Sequence, residues 1–525
     1  MPKAESPFAL DLRSVASFRV LLGALMLLDL GMRFPFAELF LSDAGALTRA
    51  DHLRLFNRPW SLSVYMMVGE PAQVRILFGL HAAAALALLL GYHTRLMAVV
   101  CWVMLVSLQH RNPLVLNGGD TLFAVLAFWA VFLPLNARWS VDAALARGRA
   151  ESADSVRPDD NLPAGHRYHA LPGMVFILQI CLVYLFTLTL KAGELWRNGE
   201  AVGYVLHNIG LIRAGGLWMQ QFDWLHPVLT RATYHWEWVG VVLLLMPWWN
   251  TATRLAAVAG FVAFHASLGW TLDLALFPHV CIAAWLALLP GAFWDFLARF
   301  RHTAVLRRGA DALAATLGTL PLHGGSVRPV GPATGCVCLA LLILVAGWNV
   351  RGLPDSFLRQ SYPKSFESTL YALKLRQKWG MFAPNPPRAG GWFVIEAQKV
   401  NGDTLDLFHP TEPFRLARPE LFTDRLPDRR WGKWLGNLRR ARYRSLRDPF
   451  LAYMVERWND RAAHEHRIEW AELVYFRETI HPGAGPGKPE PRRLAAHRPD
   501  GTRQLPAEAV PAPSEPNEAD EPEDV

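Results

Sequence analysis

Residues 171–191 read Leu-Pro-Gly-Met-Val-Phe-Ile-Leu-Gln-Ile-Cys-Leu-Val-Tyr-Leu-Phe-Thr-Leu-Thr-Leu-Lys, a run that carries no charge until Lys191 closes it. A helix rises 1.5 Å per residue, so about 20 such residues cross the ~30 Å hydrocarbon core of a bilayer. The stretch therefore predicts a transmembrane helix over 171–190. Working outward, apolar segments of the same character predict spans at 15–33, 73–92, 95–110, 120–137, 236–249, 254–272, 275–297 and 332–350. The expected fold is an α-helical polytopic membrane domain of about nine transmembrane helices followed by a small α+β soluble domain.

Composition agrees with that reading. The 525-residue chain is 52% hydrophobic and only 19% charged, where soluble domains run near a quarter charged. Beyond about residue 350 charged residues and prolines take over, which places the main domain boundary there. Residues 351–481 are expected to form the α+β domain. Gly391–Gln398 and Thr404–Phe408 alternate around Asn401-Gly402, a type I′ hairpin signal. Residues 429–463 read as one basic helix with Trp431, Trp434, Leu435 and Leu438 on its apolar face, and 467–480 alternates like a half-buried strand. From 482 to 525 the chain is Pro-rich, then acidic, and is expected to be disordered.

Lys and Arg near helix ends are retained in the cytoplasm. The loop 138–168 carries Arg138, Arg147, Arg149, Arg157 and Arg167, and the loop 298–330 carries Arg299, Arg301, Arg307, Arg308 and Arg328. With nine spans, both loops and the N-terminus are expected on the cytoplasmic side. The loops 34–72 and 191–235 and the C-terminal domain then share the opposite face. The first apolar run carries Arg19 and Asp29 and lacks the pattern of a cleavable signal peptide. Cys101, Cys181, Cys281, Cys336 and Cys338 all fall in apolar runs, which argues against a disulfide framework or a cysteine zinc site. The net charge of +8 is spread over loops and the basic helix without a nucleic-acid-binding module, so the expected surroundings are the lipid bilayer and no nucleic acid.

Ionisable groups at membrane depth are costly and point to function. Lys191 ends a long apolar helix, where lost hydration favours a neutral amine able to act as a base; the alternative is a lysine that snorkels to the interface beside Trp196. Between spans three and four, Arg111-Asn112-Pro113 and Asn117-Gly118-Gly119-Asp120 offer amide and charged groups for an anion, a water or a polar substrate end. Asp120 is equally suited to cap the fourth span. His265 lies within the seventh span, with Asp273 and His279 too far along for a compact metal site, so no metal is expected. Asp29 and Arg33 stand at i, i+4 and predict an ion pair. Thr94-Arg95 and Arg138–Asp142 read as loop anchors.

Together these residues resemble the vitamin K-dependent γ-carboxylase family, and more closely its bacterial relatives carrying the HTTM domain. The resemblance runs to about residue 300. It rests on Asp29/Arg33, Ser42–Gly45, Gly91–Arg95, Arg111-Asn112-Pro113 with Asn117–Asp120, Trp139–Asp142, Lys191 with Trp196, Gly199 and Tyr204, and His265 with Phe277. Gln377–Pro386 looks like the segment that follows this domain in bacterial members. The resemblance implies a bacterial inner-membrane protein acting on a reduced quinone of the vitamin K type. It implies Lys191 and His265 as catalytic residues, and Arg111, Asn112, Asn117, Asp120, Trp196 and Tyr204 as substrate-binding ones. The histidine that the carboxylases use for carbon dioxide fixation aligns with Gly119 or Asp120. That argues against glutamate carboxylation and leaves a quinol-oxidising or epoxidising step. A non-catalytic membrane scaffold, whose soluble domain recognises a protein partner, is the competing reading.

Overall fold

The computed structural model of the protein describes residues 6–56, 60–152, 166–299, 331–485 and 487–499. Arg157, Arg301, Arg307, Arg308 and Arg328 of the expected cytoplasmic loops, and residues 500–525 of the expected tail, lie outside the described residues.

A helix occupies each of the nine segments where a span is expected: Leu12–Arg33, Pro71–Leu90, Thr94–Arg111, Gly118–Ala130, Leu171–Leu190, Leu225–Leu245, Asn250–Thr271, Phe277–Leu286 and Pro332–Arg351. Five of the described helices are long and apolar enough to cross a membrane: Leu12–Leu41, Pro71–Leu90, Leu171–Leu190, Asn250–Thr271 and Pro332–Arg351. A sixth arises if Phe277–Leu286 and Gly291–Arg299 are counted as one broken span. Among the described residues, five or six helices, and not nine, therefore reach spanning length and apolarity. The fourth is only 13 residues long and stops ahead of Pro134, which has no N–H for the Ala130 carbonyl four residues back and whose ring clashes with it. The eighth bends by 85° at a break before Gly291, where Pro290 has no N–H to continue the ladder. The sixth begins at Leu225 instead of 236, since its polar first half is helical as well.

Local chemistry sets the ends of these helices. Asp11 caps the first by accepting from the Arg13 N–H at 2.8 Å. Prolines stand in the first turn at Pro71, Pro172, Pro278 and Pro332, where a missing N–H costs nothing. Gly91 ends the second in the left-handed region at φ +74°, and a Cβ there would meet Arg19. The expected loop anchor is present: Asp142 accepts from the His93 and Thr94 backbone N–H groups and the Thr94 hydroxyl at 2.7–2.9 Å.

The C-terminal part forms a four-stranded antiparallel sheet in the order Thr404–Asp406, Ala389–Lys399, Ile468–Thr479, Glu490–His497. Val394 stands opposite Val474 at its centre. The strand Glu490–His497 lies inside the stretch expected to be a disordered tail. Its backbone completes the ladder of Ile468–Thr479, so pairing compensates for its poor apolar content. The first hairpin is present, but not with a type I′ turn. Gly402 alone has positive φ, +91°, and its N–H reaches the Lys399 carbonyl at 2.9 Å; this is a type I turn followed by a left-handed glycine. The basic helix expected over 429–463 is broken into Arg429–Leu438, a 3-10 turn at Ala441–Leu446 and Arg447–Asn459.

This sheet and its helices dock on one end of the membrane helices. Phe40 packs edge-on against Trp431 at 5.5 Å and lies 5.6 Å from Trp434. Asn437 donates to the Leu114 carbonyl and Thr423 to that of Ile212, each at 2.7 Å. The described parts of the loops 34–72, 112–117 and 191–235 and the C-terminal part therefore share one face. Burial on both sides also explains why Ile468–Thr479 is almost wholly buried and not half-buried as expected.

Candidate functional site

Lys191 is the first residue past the helix Leu171–Leu190, and packing of that helix against Leu225–Leu245 brings it to a carboxylate. Its ammonium donates to Oε1 of Glu237 at 2.5 Å, and both side chains are 4% exposed. The same ammonium stands 4.5 Å above the centroid of the Trp196 ring. It neither snorkels to water nor faces lipid. Oε2 of Glu237 is buried without a hydrogen-bond partner.

Next to this pair, His265 lies 2.8 Å through Nε2 from the Tyr184 hydroxyl, which also accepts from the Trp285 indole at 2.7 Å. Nδ1 of His265 is buried without a partner. Phe261 and Phe277 wall the ring. The Lys191 charge acts on His265 and that of Glu237 on Tyr184, so the two pairs form one buried electrostatic unit. The fold thus brings together Lys191, His265 and Trp196 of the expected residues. Tyr204 packs against the cluster of Leu195, Trp196 and Ala201. Asp273, by contrast, pairs with Arg213 at 2.8 Å and takes no part.

A strap formed by Gln377–Pro386 crosses this site. Gln377 hydrogen-bonds Gln179 at 2.8 Å, the Phe382 carbonyl accepts from the Trp196 indole at 2.8 Å, and Asn385 Oδ1 accepts from the Leu195 N–H at 2.9 Å. The Pro384 carbonyl takes the Gly193 N–H at 3.0 Å. Gly193 must be small: a Cβ would fall 2.1 Å from Asn385 Oδ1.

The polar rim between the third and fourth helices is held by its own neighbours. Arg111 is fully buried and donates to the Leu47 carbonyl at 2.8 Å, while Asn112 donates to that of Phe40 at 3.0 Å. Both brace the loop 34–56. The N-cap of the fourth helix is Asn117 and not Asp120. Asn117 Oδ1 accepts from Gly119, and Asp120, at the third helical position, accepts from the Asn117 N–H at 2.9 Å, a capping box. The second oxygen of Asp120 takes Arg33 at 2.5 Å, and Arg33 holds Asp29 at 2.8 Å, as expected for that pair.

Arg430 of the soluble part completes this cluster. It reaches in to pair with Asp29 and lies 3.7 Å from Asp120 and 3.4 Å from Asp428. Burial disfavours its charge, but the three carboxylates outweigh that and hold it more firmly protonated than usual. A cavity of about 10 Å³, room for about one water, remains between Arg33, Phe40, Asp428 and Arg430. The basic helix thus turns its second arginine inward, and this cluster ties the two parts of the chain together.

Glu237 and Arg430 were missed by sequence reasoning. Glu237 did carry a signal, being a carboxylate inside the apolar run Trp236-Glu237-Trp238-Val239, where an ionisable group demands a partner. Arg430 carried none, since one arginine among many in a basic stretch is indistinguishable until the fold buries it.

The chain matches the family model of the HTTM domain over residues 9–291. No curated protein and no solved structure matches it. The matched region holds Lys191, Glu237, His265 and the rim cluster and stops short of the strap, the sheet and Arg430. Because the match covers more than half of the chain and carries four of the five long apolar helices, the protein belongs to the HTTM domain family of membrane proteins.

Proposed function

We propose that this HTTM protein oxidises a lipid-soluble quinol with molecular oxygen, with Lys191 taking the hydroxyl proton. The observation that carries the reading is the Lys191–Glu237 pair, sealed from water and capped by Trp196. A 2.5 Å hydrogen bond lets the shared proton pass from Nζ to Oε1, leaving a neutral amine beside a carboxylic acid. The amine then accepts the proton of the quinol hydroxyl, and the quinolate reacts with oxygen. In the overall step quinol and dioxygen give quinone epoxide and water, so atoms and electrons balance. His265 and Tyr184, 2.8 Å apart, serve the second quinol oxygen as hydrogen-bonding groups. We further assign all nine helices to the membrane domain of a bacterial inner membrane, with the N-terminus cytoplasmic and the strap and sheet extracytoplasmic.

The test is incubation of the purified protein with reduced menaquinone or phylloquinone and oxygen, following quinone and epoxide by mass spectrometry. Wild type forms epoxide, and Lys191→Ala and Glu237→Gln abolish it while staying folded. No epoxide from folded wild type sinks the reading for those quinols, and the scaffold reading then takes its place.

A further inference from the structure

The helix Leu225–Leu245 buries Glu237, Gly240, Val241 and Leu244 on one side. Its other side is a stripe at helical spacing, Val228, Arg231, His235, Trp238 and Val242, all exposed on the outside of the helical bundle. Val228, Trp238 and Val242 are large apolar side chains, as suits a surface that meets lipid. Arg231 and His235 stand among them at i, i+4. Neither makes a hydrogen bond or ion pair with a described residue.

The next helix fixes their depth. Asn250–Thr271 is long and apolar enough to span a membrane, and only residues 246–249 separate it from Leu225–Leu245, so the two run antiparallel. A Cβ on Gly260, halfway along it, would strike the Trp236 ring, and one on Gly240 the Phe261 ring, which sets the two helices level. Trp224 and the neighbouring Trp218 and Trp270 are exposed at one end of the pair, and Trp248 and Trp249 at the other, as the two aromatic belts of a bilayer would be. At 1.5 Å per residue Arg231 lies about 9 Å inside the helix end at Leu225, with His235 about one turn deeper. Both start below the belt, where an ionisable side chain facing lipid is costly unless a partner answers it.

Side chains on a helix lean toward its N-terminus, here toward the Trp224 end. Nη2 of Arg231 accordingly stands 3.5 Å from where a Cβ of Gly199 would be, close to Pro227. The guanidinium thus reaches up to headgroup depth, and no carboxylate among the described residues pairs with it, Glu200 beside Gly199 included. The partner this arrangement fits is an anion that belongs to the bilayer. A zwitterionic phospholipid offsets its phosphate with its own ammonium, whereas an acidic one leaves the charge uncompensated. Beneath the phosphate a phospholipid carries ester carbonyls, which accept from an imidazole N–H. A second copy of the chain is a poor alternative. Copies in one membrane pair about an axis along its normal, which sets Arg231 against Arg231 at equal depth. We propose that Arg231 and His235 form a binding site for one acidic phospholipid, its phosphate on Arg231 and an ester carbonyl on His235. The site lies on the face of the helix opposite Glu237 and does not depend on the quinol chemistry at Lys191.

The experiment is native mass spectrometry of the full-length protein in detergent with equimolar dioleoylphosphatidylglycerol and dioleoylphosphatidylcholine. The expected result is retention of the acidic lipid about fivefold over the zwitterionic one. Arg231→Gln removes that preference. His235→Leu lowers retention of both lipids and keeps the preference, because both carry ester carbonyls. Both side chains are exposed, so the variants are expected to melt with the wild type. Equal retention of the two lipids by wild type, or a preference unchanged in Arg231→Gln, overturns the proposal. Release of the bound lipid by excess inorganic phosphate overturns it by assigning the site to a soluble anion, and a dimer that excludes lipid by assigning the stripe to a second copy. None of these readings requires quinol turnover, so the failure of one proposal leaves the other standing.

Discussion

Lys191 and Glu237, 46 residues apart in sequence, meet at 2.5 Å inside the helical domain, each 4% exposed. Two opposite charges removed from water together are tolerable, whereas one left alone is not. Replacing Glu237 with Ala is therefore expected to cost about 3–5 kcal/mol by stranding the ammonium. Lys191→Met combined with Glu237→Leu should recover most of that loss. Thermal unfolding in detergent of the single and double variants checks this, and a double variant no better than the single one refutes it.

Arg430 joins the C-terminal part to Asp29 and Asp120 of the apolar helices. Arg430→Met leaves those carboxylates with Arg33 as their remaining guanidinium partner. The expected cost is about 3–5 kcal/mol, shown as a lower melting temperature and faster proteolytic cleavage between residues 386 and 430. Cleavage unchanged from wild type would mean that the apolar contacts around Trp431 and Trp434 hold the dock by themselves.

Gly193 lies under the strap with an ordinary φ of −73°, so its substitution tests space and not backbone strain. Gly193→Ala forces Asn385 and Pro384 away from the Lys191 loop. Faster hydrogen exchange at residues 380–390 is expected, with quinol oxidation reduced while Lys191 and Glu237 remain in place. Exchange rates equal to those of wild type rule out the strap contact.

Burial pushes the Asp406 carboxyl up to about 6, despite hydrogen bonds from the Phe408 and Ile395 N–H groups. The folded pKa lies above the unfolded value near 4, so the ionised group costs stability above pH 6. That cost fades as pH falls from 6 towards 4 and amounts to about 3 kcal/mol at neutral pH. Burial raises Glu396, opposite Asp406, and Glu472, opposite Glu396 on the next strand, in the same direction. The sheet should therefore melt higher at pH 5 than at pH 7.5, and Asp406→Asn should shrink that difference. A difference of the same size in the variant would assign the effect to the two glutamates.

Much of this organisation was legible in the order of residues. The apolar run 171–190, Pro71, Pro172, Pro278 and Pro332 at helix starts, and Gly91 at a helix end act within one or two turns, so their consequences follow from neighbours in the chain. The same locality explains the errors. Pro134 and Pro290 shorten and bend helices that hydropathy alone extends, and the strand Glu490–His497 owes its order to a partner strand rather than to its own composition.

The sequence by itself determined that this is a membrane protein whose C-terminal part differs in composition, and it singled out Lys191 and His265 as groups needing an explanation. Hydropathy is summed along a helix of 1.5 Å per residue, so it needs no knowledge of neighbours. Only the tertiary structure decided which groups answer them. Glu237 for Lys191, Tyr184 for His265 and Arg430 for Asp29, 401 residues away, are chosen by how helices pack, and charge pairing acts through space and not along the chain.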